Sequence, residues 1–207
     1  MLPLTALGQA QPQSLLPPLQ TAADGVKSGT WVRYTIYNRR THEVSSVRIA
    51  ALHREGKGQW VEVDITDQQH RTLVYMALVE GSLVAPGRVL RTVVQPPGLQ
   101  PVEIPPGKGK THLPPMSPKP PAGARLVGRG PVKVAAGTFA AAHHRGKDPG
   151  GRQMDIWSSS EVHGWPMVKA ATSEILLELT GHGDKARSKL QGKPAKLDPE
   201  LLKQLTK

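Results

Sequence analysis

The 207-residue chain contains no cysteine. That excludes a disulfide framework, a thiolate-held iron–sulfur cluster, a cysteine-ligated zinc and a cysteine nucleophile. It also leaves no cysteine within these residues to carry an acyl anchor. Aromatic residues are scarce, with a single Phe beside three Tyr and four Trp. Hydrophobic residues make up 38% of the chain, below the roughly 45–50% of ordinary globular domains, a benchmark that also counts glycine. A compact fold using every residue is therefore not expected, and some of the chain reads as loop or tail. No apolar run approaches the ~18 residues a membrane-spanning helix needs. At roughly 100–200 residues per domain, the length fits one domain with tails.

Positive charge, glycine and proline are plentiful instead. The 27 Lys and Arg outnumber the 16 Asp and Glu, for a net charge of +11. Nine of the eleven excess charges fall within residues 101–130 and 185–207, while the remainder is nearly balanced. Neither basic segment contains an aromatic residue. Nucleic-acid binders concentrate Lys and Arg on a folded face, often with exposed rings for stacking. The pattern argues against specific nucleic-acid recognition. It fits solubility, or attraction to an anionic membrane surface or an envelope protein.

The first ten residues, Met1 to Ala10, are apolar and end in small side chains. Gly8-Gln-Ala10 before Gln11-Pro12 resembles a small-x-small cleavage site without its basic n-region. The expectation is an exported protein, periplasmic or outer-envelope associated, whose start lies inside a longer signal peptide. Leu15, Leu16, Leu19, Ala22, Ala23 and Val26 allow a short helix. Residues 1–28 thus read as remnant signal segment and N-terminal helix.

From Thr30 the hydrophobic period becomes two. Val32, Tyr34 and Ile36 alternate with polar neighbours, as do Val47, Ile49 and Ala51, and then Val61, Val63 and Ile65. Thr72 to Val79 is apolar on both sides, which predicts a central strand covered on both faces. Arg88 to Val94 adds another strand. Strands every 10–14 residues with tight turns describe an antiparallel meander. Residues 96–121 hold 10 of the 20 prolines and predict a long loop, with at most a short edge strand at Val102 and Ile104. Strands resume at 124–128, 132–134, 138–145, 152–158, 168–171 and 174–180. Asp198-Pro199 predicts a short terminal helix. The fold class is mainly β: a curved antiparallel sheet, or half-barrel, over 29–184, with short flanking helices, the Pro-rich loop, and a basic tail at 185–207.

Candidate chemistry is thin. His143, His144, Asp155, Glu161, His163 and His182 are metal-ligand types, but adjacent His residues on a strand point to opposite faces, and no HExxH-like spacing occurs. Ser158-Ser-Ser160 with His163 and Asp155 contains triad residue types without the glycine-flanked elbow. Gly107-Lys-Gly-Lys-Thr111 lacks the first glycine of a phosphate loop. No cofactor is implied. The apolar groups say more. The strand from Thr138 to Ala142 carries small side chains that leave room, while Met and Trp line adaptable cavities. Tyr34, Tyr75, Phe139, Met154, Trp157, Trp165 and Met167 are the candidate ligand-binding residues.

Three segments carry a family resemblance: Pro131-Val-Lys-Val-Ala-Ala-Gly-Thr-Phe139, Asp155-Ile-Trp-Ser158 and Val162-His-Gly-Trp-Pro-Met-Val-Lys169. Together they resemble exported bacterial domains of the LolA-like and LppX-like lipoprotein-carrier superfamily over about residues 125–180. The resemblance implies a curved half-barrel that binds a lipid or acylated ligand on its concave, apolar face, without catalytic residues. The Pro-rich insertion at 96–121 departs from that plan. The expected function is a non-enzymatic binding module for a hydrophobic or lipid-like ligand. The alternative is a structural envelope subunit that makes protein–protein contacts without ligand. A hydrolase using His144 or His163 is the third reading.

Overall fold

The computed structural model describes residues 19–20, 25–81, 86–104, 116–117, 123–148 and 150–196. Its strands are β1 (Leu19–Gln20), β2 (Trp31–Asn38), β3 (Val44–Glu55), β4 (Gly58–Thr66), β5 (Thr72–Gly81), β6 (Pro86–Gln95), β7 (Val102–Ile104), β8 (Met116–Ser117), β9 (Arg125–Val134), β10 (Gly137–Lys147), β11 (Gln153–Ser158), β12 (Met167–Ala171), β13 (Ile175–Gly183) and β14 (Ala195–Lys196). Twelve of them form one open, curved sheet in the order β14-β7-β6-β5-β4-β3-β2-β13-β12-β11-β10-β9. Short turns dictate two meanders, β2 to β7 and β9 to β13. Pairing of β2 with β13, from Trp31↔Gly183 to Asn38↔Ile175, welds them into one sheet.

No helix occurs among the described residues. Leu19 and Gln20, expected within the N-terminal helix, instead pair in parallel with Met116 and Ser117. The remainder of that helix and the terminal helix after Asp198 lie outside the described residues. The two strands expected at 124–128 and 132–134 are one strand, β9, running through Gly130 and Pro131. Position explains this, because β9 is an edge. Among the described residues it pairs only with β10, Ala140 lying opposite Pro131. The Ala140 N–H points away from β9, to Glu161. Ala140 and Pro131 therefore form a non-hydrogen-bonded pair, and the proline lacks only an outward donor. Pro131, Arg129 and Lys133 together guard the edge against self-pairing.

The alternation along β2 to β5 sorts side chains onto two faces. One holds Val32, Tyr34, Ile36, Val47, Ile49, Val61, Val63, Tyr75 and Ala77 in a single buried cluster with Phe139, Met154, Ile156, Met167, Leu177 and Leu179. Strands as far apart in the sheet as β5 and β10 meet in this cluster, which only the inside of a curled sheet allows. The concave face is thus the main core.

The opposite face of β3 to β6 carries Ala50, Leu52, Trp60, Val74, Met76, Leu78 and Val93. Residues 184–196 cross it as a strap. Ala186 donates its N–H to the Gly29 carbonyl at 2.7 Å, Gln191 to Gln95 Oε1 at 2.8 Å, and Ala195 to the Pro101 carbonyl at 2.9 Å. Ala186 and Leu190 pack on the apolar cluster, while Lys185, Arg187 and Lys189 stay exposed. The two-sided burial legible in Thr72–Val79 is completed by this segment, whose basic composition predicts a tail.

Beneath the strap sits a buried charge group. Arg48 Nη1 reaches Glu62 Oε1 and Asp64 Oδ2, each at 2.9 Å, and Arg48 Nη2 donates to the Arg187 carbonyl at 2.9 Å. Glu62, with no exposed surface, also accepts the Ser188 hydroxyl and the Lys189 N–H. A buried carboxylate persists only when its oxygens are paired this fully.

Candidate functional site

A cavity of about 1200 Å³ opens at one end of the curled sheet. Its floor is built from residues with little or no side chain: Gly130 on β9 and Ala140, Ala141 and Ala142 on β10. The register sets Arg129, Ala142 and Ser158 in a row across β9, β10 and β11. A Cβ added at Gly130, which lines the cavity, would meet nothing within 4 Å.

The second wall is the loop that follows β11. Ser159 donates its N–H to the Pro166 carbonyl at 2.7 Å, closing the loop at its base. Glu161 Oε1 accepts the Ala140 N–H at 2.9 Å and the Ser159 hydroxyl at 3.3 Å. This carboxylate substitutes for the strand that ends at Ser158, satisfying a donor that would otherwise be orphaned. Gly164 has φ +77°, and a side chain there would strike Thr30 Cγ2, so glycine lets this loop lie against the third wall.

That third wall is the turn at 25–30. Lys27 offers its carbonyl to the Thr30 N–H at 3.2 Å and the Thr30 hydroxyl at 2.7 Å, and Gly29 ties the turn to Ala51. His182, Gly183 and Asp184 complete the lining where β13 gives way to the strap. Two cationic side chains, Lys27 and Arg129, and two imidazoles, His163 and His182, line the cavity with one carboxylate, Asp184. Lys27 and Arg129 have no carboxylate within 4.0 Å among the described residues.

None of the seven candidate ligand-binding residues lines this cavity. Tyr34, Tyr75, Phe139, Met154, Trp165 and Met167 are buried in the concave core. Tyr34 donates its hydroxyl to the Met167 carbonyl at 3.0 Å, and burial pushes its phenol well above the ordinary range. Phe139 touches the lining, its ring edge-on to His182 with centroids 5.7 Å apart. Trp157 points to the opposite face. There it stacks on His143 at 4.3 Å, with Lys169 Nζ 5.7 Å from its centroid. The bulky residues fill space, and the cavity lies where the small ones are.

The metal-ligand types scatter. Among the described residues no group of three or more His, Asp or Glu could hold a metal ion. His143 Nε2 and Arg145 Nε both reach Asp155 Oδ1, at 2.6 and 2.8 Å. Burial alone would raise the Asp155 carboxyl, but the hydrogen bonds from Arg145 and His143 outweigh it and hold it below the usual carboxylate range. Asp155 is thereby occupied away from His163, and the Ser159 hydroxyl donates to Glu161. The triad types of the sequence do not assemble. His144 is held below its ordinary value, first by burial and then by the charges of Arg129 and His143.

The sequence carried a signal for part of the lining. Ala140 to Ala142 stood out as small, and Ser158, Ser160, His163 and His182 belonged to other constellations. Lys27, Arg129 and Asp184 had no local pattern, because residues far apart in sequence meet only through the sheet's curvature.

No protein-family model matches the chain, and no curated protein matches its sequence. Solved structures with a related outline include a candidate exported protein with a YmcC-like fold from Bacteroides fragilis, at 10% identity and a TM-score of 0.41. That alignment covers 81% of this chain and 100% of the other. A candidate lipoprotein from Parabacteroides distasonis aligns at 12% identity and a TM-score of 0.39, over 79% of this chain and 99% of the other.

Proposed function

We propose that the protein is a non-enzymatic, exported binding module that holds an amphipathic ligand in the end cavity, not on the apolar concave face. One observation carries this reading: the concave face is filled by the protein's own side chains, whereas a ligand-sized space remains over Gly130 and Ala140–Ala142. Ligand pockets typically span roughly 300–1,000 Å³ and combine apolar walls with a few polar groups, and this half-open cavity is of that order. The alanine surfaces suit an apolar part, and Lys27, Arg129 and the serines suit a polar one. The N-terminal pattern and the resemblance of 125–180 to lipoprotein carriers support export and a lipid-like ligand.

Gly130→Leu tests the seat. A Cβ at Gly130 meets nothing within 4 Å and Gly130 lines the cavity, so the larger side chain should occupy the seat while the fold persists, which the unfolding midpoint checks. Native mass spectrometry after exposure to a bacterial lipid extract should show retained ligand in the wild type and none in the variant. Equal retention by both would place the ligand elsewhere.

The filled concave face equally favours a second reading, a structural envelope subunit without ligand. In that reading the exposed Lys185, Arg187 and Lys189 of the strap form a contact for anionic phospholipid or an envelope protein. Absence of any retained ligand, together with binding to anionic vesicles that salt abolishes, would select it.

A further inference from the structure

Two walls of the cavity each contribute a cationic residue. Lys27 sits on a turn held by the Thr30 N–H, the Thr30 hydroxyl and the Gly29–Ala51 hydrogen bond. Arg129 stands on β9, in the row with Ala142 and Ser158. The two lie 102 positions apart in the sequence, and neither has a carboxylate partner among the described residues. His163 and His182 line the same space. The nearby Glu161 is turned to the Ala140 N–H and the Ser159 hydroxyl, which leaves Asp184 as the lining carboxylate.

Resting on the reading of the cavity as a ligand seat, we infer that it selects an anion: a carboxylate or phosphate ester carrying an apolar body, its charged group between Lys27 and Arg129. Arginine suits such a group because its planar fork matches two oxygens, and lysine adds a point charge. Ser160 and Ser158 supply hydroxyls for further acceptor oxygens. The apolar body lies along Ala140–Ala142. A cationic head group would face Lys27 and Arg129, and a neutral one would leave both without a counter-charge.

The test uses four probes of one chain length: dodecyl phosphate, laurate, monolauroylglycerol and dodecyltrimethylammonium, each titrated below its micellar concentration by calorimetry. Dodecyl phosphate and laurate should bind at least roughly tenfold more tightly than the neutral and cationic probes, the scale of one charge-assisted hydrogen bond. Lys27→Gln with Arg129→Gln should lower the anions to the level of monolauroylglycerol and leave that neutral probe unchanged. Circular dichroism and the unfolding midpoint check that the double variant remains folded. Inorganic phosphate that displaces dodecyl phosphate would assign the selectivity to the charge alone. Failure of phosphate to displace it, with charge selectivity intact, would show that the chain is also required. Equal affinity for all four probes overturns anion selection while leaving an amphiphile seat. Binding of none, or binding that Gly130→Leu does not reduce, removes the seat itself.

Discussion

Glu62 is the position where the energetic reasoning is most exposed to test. Its carboxylate is fully buried and accepts from Arg48, the Ser188 hydroxyl and the Lys189 N–H. Glu62→Ala removes all three acceptances at once. Arg48 keeps Asp64 and the Arg187 carbonyl, so its charge is not stranded. Ser188 and Lys189 are left facing a small void. Removing one partner of a buried pair costs about 3–5 kcal/mol, and the retained Asp64 contact places the expected loss near 3. At 2–4 °C per kcal/mol for a chain of this size, the melting midpoint should fall by roughly 6–12 °C. The strap should also open before the sheet does, because its hold on β4 passes through Glu62. Limited trypsin digestion should therefore cut at Lys185, Arg187 and Lys189 faster in the variant, at temperatures where β-sheet circular dichroism is unchanged.

The order of effects within the group is also fixed. Arg48→Met leaves Glu62 and Asp64 both buried and without their shared cation, so it should cost more than Glu62→Ala. Replacing all three with apolar residues, Arg48→Met with Glu62→Leu and Asp64→Leu, removes the charges together and should recover most of the loss, since buried ion groups often exchange for packed apolar side chains at little cost. A midpoint shift below about 2 °C for Glu62→Ala, or a triple variant less stable than Arg48→Met, would refute this account.

The strands were legible because the sheet is buried in ways that leave a period in the sequence. β4 alternates Val61, Val63 and Ile65 with Glu62 and Asp64, and the structure sends the two sets to opposite faces. The double burial of β5 was legible too, but not what covers it. Ala186 and Leu190 are the only apolar residues that the strap brings to that face, in a segment otherwise rich in Lys, Arg, Ser and Gln. Composition marks such a segment as tail. What pins it is Glu62, a buried acid 126 residues earlier that alternation assigns to solvent. The site was legible in one component. Small side chains on β10 signalled space, and space is there. Met154, Trp165 and Met167 lie in the buried concave core and not in the cavity walls. Bulky residues near a small-residue strand are as well used to fill the curl of the sheet as to line a cavity, and nothing local distinguishes the two. Lys27 and Arg129 lie 102 positions apart and meet one cavity only because β2 pairs with β13 and the sheet curls back toward β9.

Gly164, Asp155 and His144 give further outcomes. Gly164→Ala should cost about 1–3 kcal/mol and loosen the loop wall, because the new Cβ combines strain at φ +77° with a clash against Thr30; a variant as stable as the wild type would refute the packing of these two walls. Asp155 has a depressed folded value, so its contribution is present above the unfolded carboxyl range near 3.9 and is lost as pH falls through the folded value. The urea-midpoint difference between wild type and Asp155→Asn should shrink from pH 6 toward pH 3, and a constant difference would contradict the pairing with Arg145 and His143. His144 follows the same sign from a different cause. Burial, then the charges of Arg129 and His143, disfavours its cation in the folded state, so the unfolded chain takes up the proton first and stability declines as pH drops below about 6.5. Its Nδ1 is buried and has no partner among the described residues. His144→Leu should therefore match or exceed the wild type by about 1 kcal/mol at pH 8 and lose less stability between pH 7 and pH 5. Parallel stability curves for the two proteins would refute the assignment. Because Arg129 contributes to the depression, dodecyl phosphate seated beside it should cancel part of that charge and move the His144 ring titration upward in a histidine NMR series. A titration unmoved by saturating ligand would mean that the anion does not sit against Arg129.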